Sequence, residues 1–268
     1  MIFLDHFAAK RLLAGEKRVS LDLGLTQSDA PDVPRDWLET VAADEECAYF
    51  IDEGHLFKAM MRDGNVYKLV PTREGHAPML TISGIRMHLV KDTNPEENAR
   101  AIVSAAGILP HHNVLDTCTG LGYTAIAAME RGARVTTIEL DENVVEMARL
   151  NPWSKKLFEG GAELVQGDVA EVVKQFSDGS FDAVIHDPPR LVLAGELYSL
   201  SFYKELLRVA RPRAKLVHYT GAPGARQRGK SIVAGVIKRL REAGWSGVAP
   251  NSVLQGVTAF KAGRQRRR

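Results

Sequence analysis

From about residue 112 onward, short apolar runs that end in an acid or a glycine alternate with stretches whose apolar positions recur every three to four residues. Strand and helix periods taking turns in this way predict a mostly parallel sheet covered on both faces. The expected strands are His112–Thr117, Arg134–Glu139, Glu163–Gln166, Phe181–His186 and Lys215–Tyr219. Helices are expected over Tyr123–Arg131, from Asp141 to Leu150, and over Val169–Phe176, Leu200–Ala210 and Ser231–Ala243. Phe181–His186 is apolar enough for a central strand buried on both sides. Asp141 and Ser231 are good N-caps, while Gly132 and Gly244 close their helices. Two final strands, near Trp245–Val248 and Val257–Lys261, should complete the sheet as an antiparallel hairpin.

Residues 1–95 break this rhythm. An amphipathic helix is expected over Ile2–Ala14, stopped by Gly15, followed by a strand over Arg18–Leu25. Pro34 introduces a helix over Asp36–Glu46 with acids in its first turn. Leu56–Met61 and Val66–Val70 flank Arg62-Asp-Gly-Asn65, a hairpin signal. The reading is a small α+β domain over 1–95, with Pro71–Pro78 as a linker and Met79–Val90 as a further strand pair. Residues 96–268 then form a Rossmann-like α/β domain.

Hydrophobic content of 45% and charged content of 25% suit a soluble globular chain with a sizeable core. No apolar run is long enough to span a bilayer, and no membrane partner is expected. The first residues, Met1-Ile-Phe-Leu-Asp-His6, do not resemble a signal peptide. Cys47 and Cys118 lie far apart in no metal-like spacing, so a disulfide framework and a structural metal are not expected and a cytoplasmic location is. The net charge of +2 conceals a strong polarity: residues 204–268 hold sixteen Lys and Arg against two acids, Glu205 and Glu242. A polyanion such as nucleic acid is the partner that this asymmetry predicts.

Open parallel sheets bind ligands beyond the carboxyl ends of their strands. The residues at those ends are therefore the candidate cofactor set. Asp116 ends the first strand and can accept hydrogen bonds from an ammonium or hold the amides of its own loop. Gly120 and Gly122 allow backbone to approach a ligand closely, since neither has a β-carbon. Glu139, at the end of the second strand, is placed to accept both hydroxyls of a ribose, with Leu140 over an adenine face. Asp168, after the third strand, can accept a hydrogen bond from the adenine amino group. Thr117, Tyr123 and Val169 complete the set. Gly120-Leu-Gly122 nearly fits a dinucleotide fingerprint, and Glu139 lies at the distance that motif requires. Against that reading, Asp116 would repel a pyrophosphate, and Asp168 is an acceptor that dinucleotide sites do not need. Together these positions resemble the motifs of class I methyltransferases over roughly 112–262, and the resemblance implies S-adenosylmethionine as cofactor. Cys118 stands where that family often has glycine and is read as a packing residue.

The fourth strand runs into Asp187-Pro-Pro-Arg190. An exocyclic amine on a nucleobase is a poor nucleophile because its lone pair is delocalised into the ring. Donating both hydrogens to fixed acceptors localises that pair, and the Asp187 carboxylate and Pro188 carbonyl offer two such acceptors. Pro189 holds Pro188 extended, so its carbonyl is pre-aimed. The segment resembles the Asn/Asp-Pro-Pro-aromatic motif of amino methyltransferases, with Arg190 replacing the aromatic. A guanidinium can stack on a base or meet a phosphate. Tyr198, Phe202 and Tyr203 are candidates for stacking, and His218 is read as packing. Tyr219, at the end of the fifth strand, and Arg226, Arg228 and Lys230, in the glycine-bearing loop beyond it, are the expected RNA contacts.

The whole chain is similar to a group of archaeal methyltransferases, through Gly15-Glu-Lys17, Val19-Ser-Leu-Asp-Leu-Gly-Leu-Thr26, Tyr67-Lys-Leu-Val-Pro-Thr72, Ile82-Ser-Gly-Ile-Arg-Met-His88 and His186-Asp-Pro-Pro-Arg190. That likeness implies a ribosomal RNA methyltransferase acting on cytidine N4, with Asp187, Pro188, Pro189 and Arg190 at the amine. Aminopropyl transfer in polyamine synthesis, methylation of a small-molecule amine and a catalytically silent RNA-binding scaffold are the alternatives.

Overall fold

The computed structural model describes residues 1–221, 226–227 and 230–263, without the side chains of 226, 227 and 230. The chain divides into two compact units. The first takes residues 1–98 with 120–123 and 142–159, and the second takes the remainder.

In the first unit, β1 (Ile2–Leu4) pairs antiparallel with β4 (Tyr49–Asp52), which pairs with β5 (His55–Lys58). The helix expected over Ile2–Ala14 is therefore shorter: α1 spans His6–Leu13. The reason is local. The Asp5 carboxylate accepts from the Ala8 amide at 2.8 Å and fixes the helix start, leaving Ile2 and Phe3 to pair with Ile51 and Phe50. The expected strand over Arg18–Leu25 likewise ends early, at β2 (Arg18–Leu21), which turns back through Asp22–Gly24 to β3 (Thr26–Asp29). Helix α2 covers Arg35–Ala43, and Leu4, Ala9, Val19, Val41 and Cys47 close a small core.

A second sheet of this unit joins β6 (Met60–Asp63), β7 (Asn65–Val70), β8 (Met79–Ile82) and β9 (Ile85–Arg86) in sequence order. The predicted hairpin is present, tighter than expected, with Asp63 opposite Asn65 about Gly64. Pro71–Pro78, expected as a linker, connects two neighbouring strands of this one sheet. Helix α3 (Pro95–Ala106) was not expected, although its signals are orthodox. Asn94 caps it through the Glu97 amide at 3.0 Å, Pro95 opens it and two acids follow.

The second unit is built on a seven-stranded sheet. Its strands are β10 (Asn113–Asp116), β11 (Arg134–Glu139), β12 (Ala162–Gln166), β13 (Phe181–His186), β14 (Ala210–Tyr219), β17 (Ser246–Asn251) and β18 (Gly256–Phe260). Their spatial order is β12-β11-β10-β13-β14-β18-β17. The first five run parallel, and the β17–β18 hairpin closes the edge antiparallel. Between β14 and β17 a two-residue pair, β15 (Arg226–Gln227) and β16 (Lys230–Ser231), leads into α8 (Ile232–Ala243).

Helix α4 spans Tyr123–Glu130 and α5 Glu142–Leu150; α5 belongs to the first unit and lies on β6 and β7. The helix expected over Val169–Phe176 is a single α-helical turn, α6 (Val169–Val172), tightening into a 3-10 turn. Helix α7 (Leu200–Val209) buries Phe202, Tyr203 and Leu206 on the sheet. Burying Leu206 completely stabilises the unit by roughly 2 kcal/mol. Among the described residues, no helix is long and apolar enough to cross a membrane.

Candidate active site

Five adjacent parallel strands end on one edge, so chain direction alone aligns the predicted residues. Along that edge lie Asp168 beyond β12, Glu139 on β11, Asp116 on β10 with Thr117 just beyond it, Asp187 beyond β13, and Tyr219 on β14. The edge is acidic. Asp116 lies close enough to Asp187 and Glu139 for both to raise its pKa.

Asp116 is wholly buried. Its Oδ2 accepts from the Thr124 hydroxyl at 3.1 Å and the Thr137 hydroxyl at 2.9 Å. Its Oδ1 has no hydrogen-bond partner among the described residues. Burial, reinforced by the other two carboxylates, pushes the Asp116 pKa up to about 8. A nearby positive charge would favour its ionised form, and a ligand bearing an ammonium and a sulfonium carries two such charges. A pyrophosphate would meet three carboxylates here.

The remaining cofactor candidates are fixed by their own backbones. Glu139 Oε1 accepts from the Leu140 and Asp141 amides at 3.0 and 3.1 Å, which orients its carboxylate. Leu140 is 66% exposed, an apolar side chain presented at a strand end. Asp168 caps α6 through the Ala170 amide at 2.8 Å. Val169 is a core side chain, so only its backbone is available to a ligand. Gly120 and Gly122 both have positive φ, of 54° and 79°, which other residues adopt at a cost. A β-carbon on Gly120 would meet nothing within 4 Å, whereas one on Gly122 would strike Leu157 at 2.7 Å. Gly122 therefore serves packing, and Gly120 leaves open space. The Tyr123 hydroxyl is internal to the first unit: it donates to Pro78 O at 2.8 Å and accepts from Asn151 at 2.9 Å.

At the end of β13, Asp187 is half-buried, Pro188 buried, and Pro189 and Arg190 exposed. Burial alone raises the Asp187 pKa to about 7. Tyr198, expected against the substrate, is only 3% exposed. Its hydroxyl donates to Pro189 O at 3.0 Å, and its own carbonyl accepts from Arg239 at 2.8 Å. Its ring is buried, so what it offers the motif is support rather than a stacking surface. Phe202 and Tyr203, the other stacking candidates, are core residues. Tyr219 is half-buried, with its hydroxyl pKa raised by burial and by Asp187.

His186 lies outside the predicted site. It is wholly buried, its Nε2 hydrogen bonded to Leu197 O at 3.0 Å and its Nδ1 to the Thr117 hydroxyl at 2.7 Å. A carbonyl can only accept, so Nε2 carries the proton and Nδ1 accepts from Thr117. Burial drives its pKa down to about 3, which keeps it neutral. It thus ties the ends of β10 and β13 together immediately before Asp187. The available signal was a histidine closing an apolar run, which needs partners for both ring nitrogens. His218 packs as expected, its ring 4.3 Å from that of His186, and accepts from the Tyr203 hydroxyl at 2.9 Å. Burial holds the Cys118 thiol well above its usual pKa, in keeping with packing. Of the cationic loop, Arg226 and Lys230 lie on β15 and β16 with side chains not described, and Arg228 lies outside the described residues. No metal-holding cluster occurs among the described residues.

A methyltransferase domain family model matches residues 115–218, the stretch from β10 to β14 that carries this edge. The chain is 48% identical over 230 residues to MJ1233, an uncharacterized protein of Methanocaldococcus jannaschii, covering 86% of this chain and 79% of that one. It is 26% identical over 174 residues to the 23S rRNA (uracil(1939)-C(5))-methyltransferase RlmD of Alcanivorax borkumensis, covering 63% of this chain and 37% of that one. In fold it is similar to a spermidine synthase solved with the transition-state analogue AdoDATO, with a TM-score of 0.61 at 17% identity over 75% of this chain and 72% of that one.

Proposed function

Because the chain belongs to the same family as MJ1233 of Methanocaldococcus jannaschii and carries a class I, S-adenosylmethionine-binding methyltransferase domain, we propose that it methylates an exocyclic base amine of RNA, the N4 of cytidine in ribosomal RNA. The observation that carries this reading is the placement of Asp187 and Pro188 on the same strand edge as Asp116 and Glu139, with the following carbonyl of Pro189 held by Tyr198.

The bound cofactor supplies an activated methyl group on a sulfonium. Asp116, Glu139 and Asp168 would hold it: Asp116 through Oδ1, which has no hydrogen-bond partner among the described residues, Glu139 through a carboxylate already oriented by two amides, and Asp168 through its carboxylate. The Asp187 carboxylate and the Pro188 carbonyl each accept one hydrogen of the acceptor amine, which localises its lone pair. Once the nitrogen has been alkylated, Asp187 is the adjacent base for the surplus proton. A carboxyl with a pKa near 7 suits that exchange at neutral pH.

RNA as the substrate class is supported by the likeness to RlmD and by the cationic stretch from residue 204 onward, in which Arg226, Arg228 and Lys230 are the proposed phosphate contacts. Arg190, exposed beside Asp187, is the proposed partner of the base or its phosphate. Cytidine N4 follows from the Asp-Pro-Pro-Arg resemblance. Residues 1–95 are the proposed substrate-selecting domain.

The likeness in fold to spermidine synthase favours a second reading, aminopropyl transfer to a diamine. One experiment separates the two. The protein is incubated with methyl-labelled S-adenosylmethionine and ribosomal RNA, and in parallel with decarboxylated S-adenosylmethionine and putrescine. Digested RNA containing labelled N4-methylcytidine is the expected product. A polyamine product with unlabelled RNA would overturn the proposal.

A further inference from the structure

We propose that one face of the β6–β9 sheet in the first unit is a docking surface for the phosphodiester backbone of the RNA substrate, through Arg62, Lys68 and Arg86. The register defines that face. Met60, Lys68, Thr81 and Arg86 lie opposite one another in a single row across all four strands. Directly paired residues point to the same side of a sheet, and so do residues two apart on one strand. Arg62 and Val66 form the next row on that side, and Val70 with Met79 the row beyond.

The opposite side carries Tyr67, Leu69 and Leu80, all buried, together with Asp63, which accepts from Asn143 of α5 at 3.2 Å. On the Lys68 side Val70, Met79 and Thr81 are also buried and Met60 packs on the other small core, leaving a groove of about 170 Å³ lined by Val66, Lys68, Val70, Met79, Thr81 and Arg86 together with Glu46 and Gly84.

Charge identifies the occupant. Arg62 and Arg86 are exposed and Lys68 is half-buried. None of the three makes an ion pair among the described residues. Glu46 is the one acid lining the groove. Cations on three different strands, with Lys68 and Arg86 roughly 10 Å apart across the sheet, match a row of regularly spaced anions better than a single one. The face has no aromatic side chain, so it offers no stacking platform for bases. It would position the strand without reading its sequence.

The inference rests on RNA being the substrate, and the test keeps the two apart. Full-length wild type and the triple variant Arg62→Gln/Lys68→Gln/Arg86→Gln are titrated with a short fluorescein-labelled RNA of mixed sequence over a range of salt concentrations. Each lost phosphate contact should reduce the slope of log K against log salt by about 0.7, so the variant should lose about 2 from its slope. Its affinity at low salt should fall at least tenfold. S-adenosylmethionine binding and the melting temperature, measured on the same samples, should stay unchanged and show that the variant is folded. Equal slopes in both proteins would remove this face from the interface. Reduced binding of poly-glutamate with RNA binding intact would reassign it to an acidic protein. A wild type that does not bind the RNA even at low salt would overturn the RNA reading itself.

Discussion

The hydroxyl of Tyr198 donates to the carbonyl oxygen of Pro189 at 3.0 Å, from a ring that is almost entirely buried. The acceptor belongs to the residue that follows the proposed substrate-binding carbonyl, and a proline there already limits the torsions available. The Tyr198 hydrogen bond fixes what the ring of Pro189 leaves free. Arg239 in turn holds the Tyr198 carbonyl, so α8 braces the motif through one intermediary.

Tyr198→Phe should therefore reduce methyl transfer by about 10- to 100-fold through misalignment alone, since small displacements of a reacting group are costly. Cofactor affinity should be unaffected, because the lost hydroxyl is bonded to Pro189 O and not to a residue proposed to hold the cofactor. Stability should fall by about 1 kcal/mol, the net worth of one hydrogen bond. Single-turnover rates beside cofactor titrations would check this. A loss of cofactor affinity equal to the loss of rate would show that Tyr198 supports the whole edge rather than the motif.

In the proposed reaction Asp187 must be ionised to accept the amine hydrogen, and burial places its pKa at about 7. The rate of transfer should then climb with pH through neutrality and level off above about pH 8. Asp187→Asn removes the titrating group and should cost roughly 10²- to 10³-fold in rate, as when one preorganised partner of a reacting group is lost. The residual activity of the variant should be flat across the same range. A pH profile that kept its rising limb in Asp187→Asn would assign the ionisation to another group.

As a proposed cofactor contact, Asp116 would couple ligand binding to stability. Its native pKa of about 8 lies above the ordinary value of 3.8, so the folded protein holds this proton more tightly than the unfolded chain does. That contribution is complete below pH 3.8 and is lost as pH rises toward 8. Asp116→Asn has no such proton. Its melting temperature relative to wild type should therefore improve steadily as pH is raised from about 5 to 8, without ligand. The same variant should bind S-adenosylmethionine at least tenfold more weakly, about 1.4 kcal/mol. A melting difference independent of pH would mean that Asp116 is already ionised in the folded protein.

Strands and helices of the second unit were legible because their side chains obey a single period and their ends carry glycines and caps. Phe181–His186 and Arg134–Glu139 match the structure residue for residue. The N-terminus was less legible, because a polar residue interrupts an apolar pattern there: Asp5 looks like one polar face of a helix, yet its carboxylate begins that helix. At the site, residue type at a strand end was sufficient to gather Asp116, Glu139, Asp168 and Asp187 on one edge. Spacing could not show whether a tyrosine faces ligand or core, and Tyr198 at the start of a helical pattern reads equally well either way. Nor could it reveal that His186 bridges β10 to β13, because its partner Thr117 lies 69 residues away.

That bridge has its own pH signature. His186 is neutral, buried and bonded at both nitrogens, with a pKa near 3 against an ordinary 6.5. The unfolded chain therefore binds this proton more readily than the folded one. The resulting stability is present above pH 6.5 and is lost as pH falls toward 3, opposite in sign to that of Asp116. Over much of the acid range the two contributions oppose each other, and a melting curve of wild type alone would blur them. Comparison with His186→Gln cancels the carboxylates, which both proteins share. The melting temperature advantage of wild type over His186→Gln should be constant from pH 8 to about 7 and shrink progressively from pH 6.5 to 5. Thr117→Val, which removes the donor to Nδ1 and keeps the imidazole, should retain that pH dependence while lowering stability by about 1–3 kcal/mol at every pH, because Nδ1 is left without its donor. An advantage that grew on acidification would require a protonated imidazole between β10 and β13, and with it a different account of how Asp187 is held.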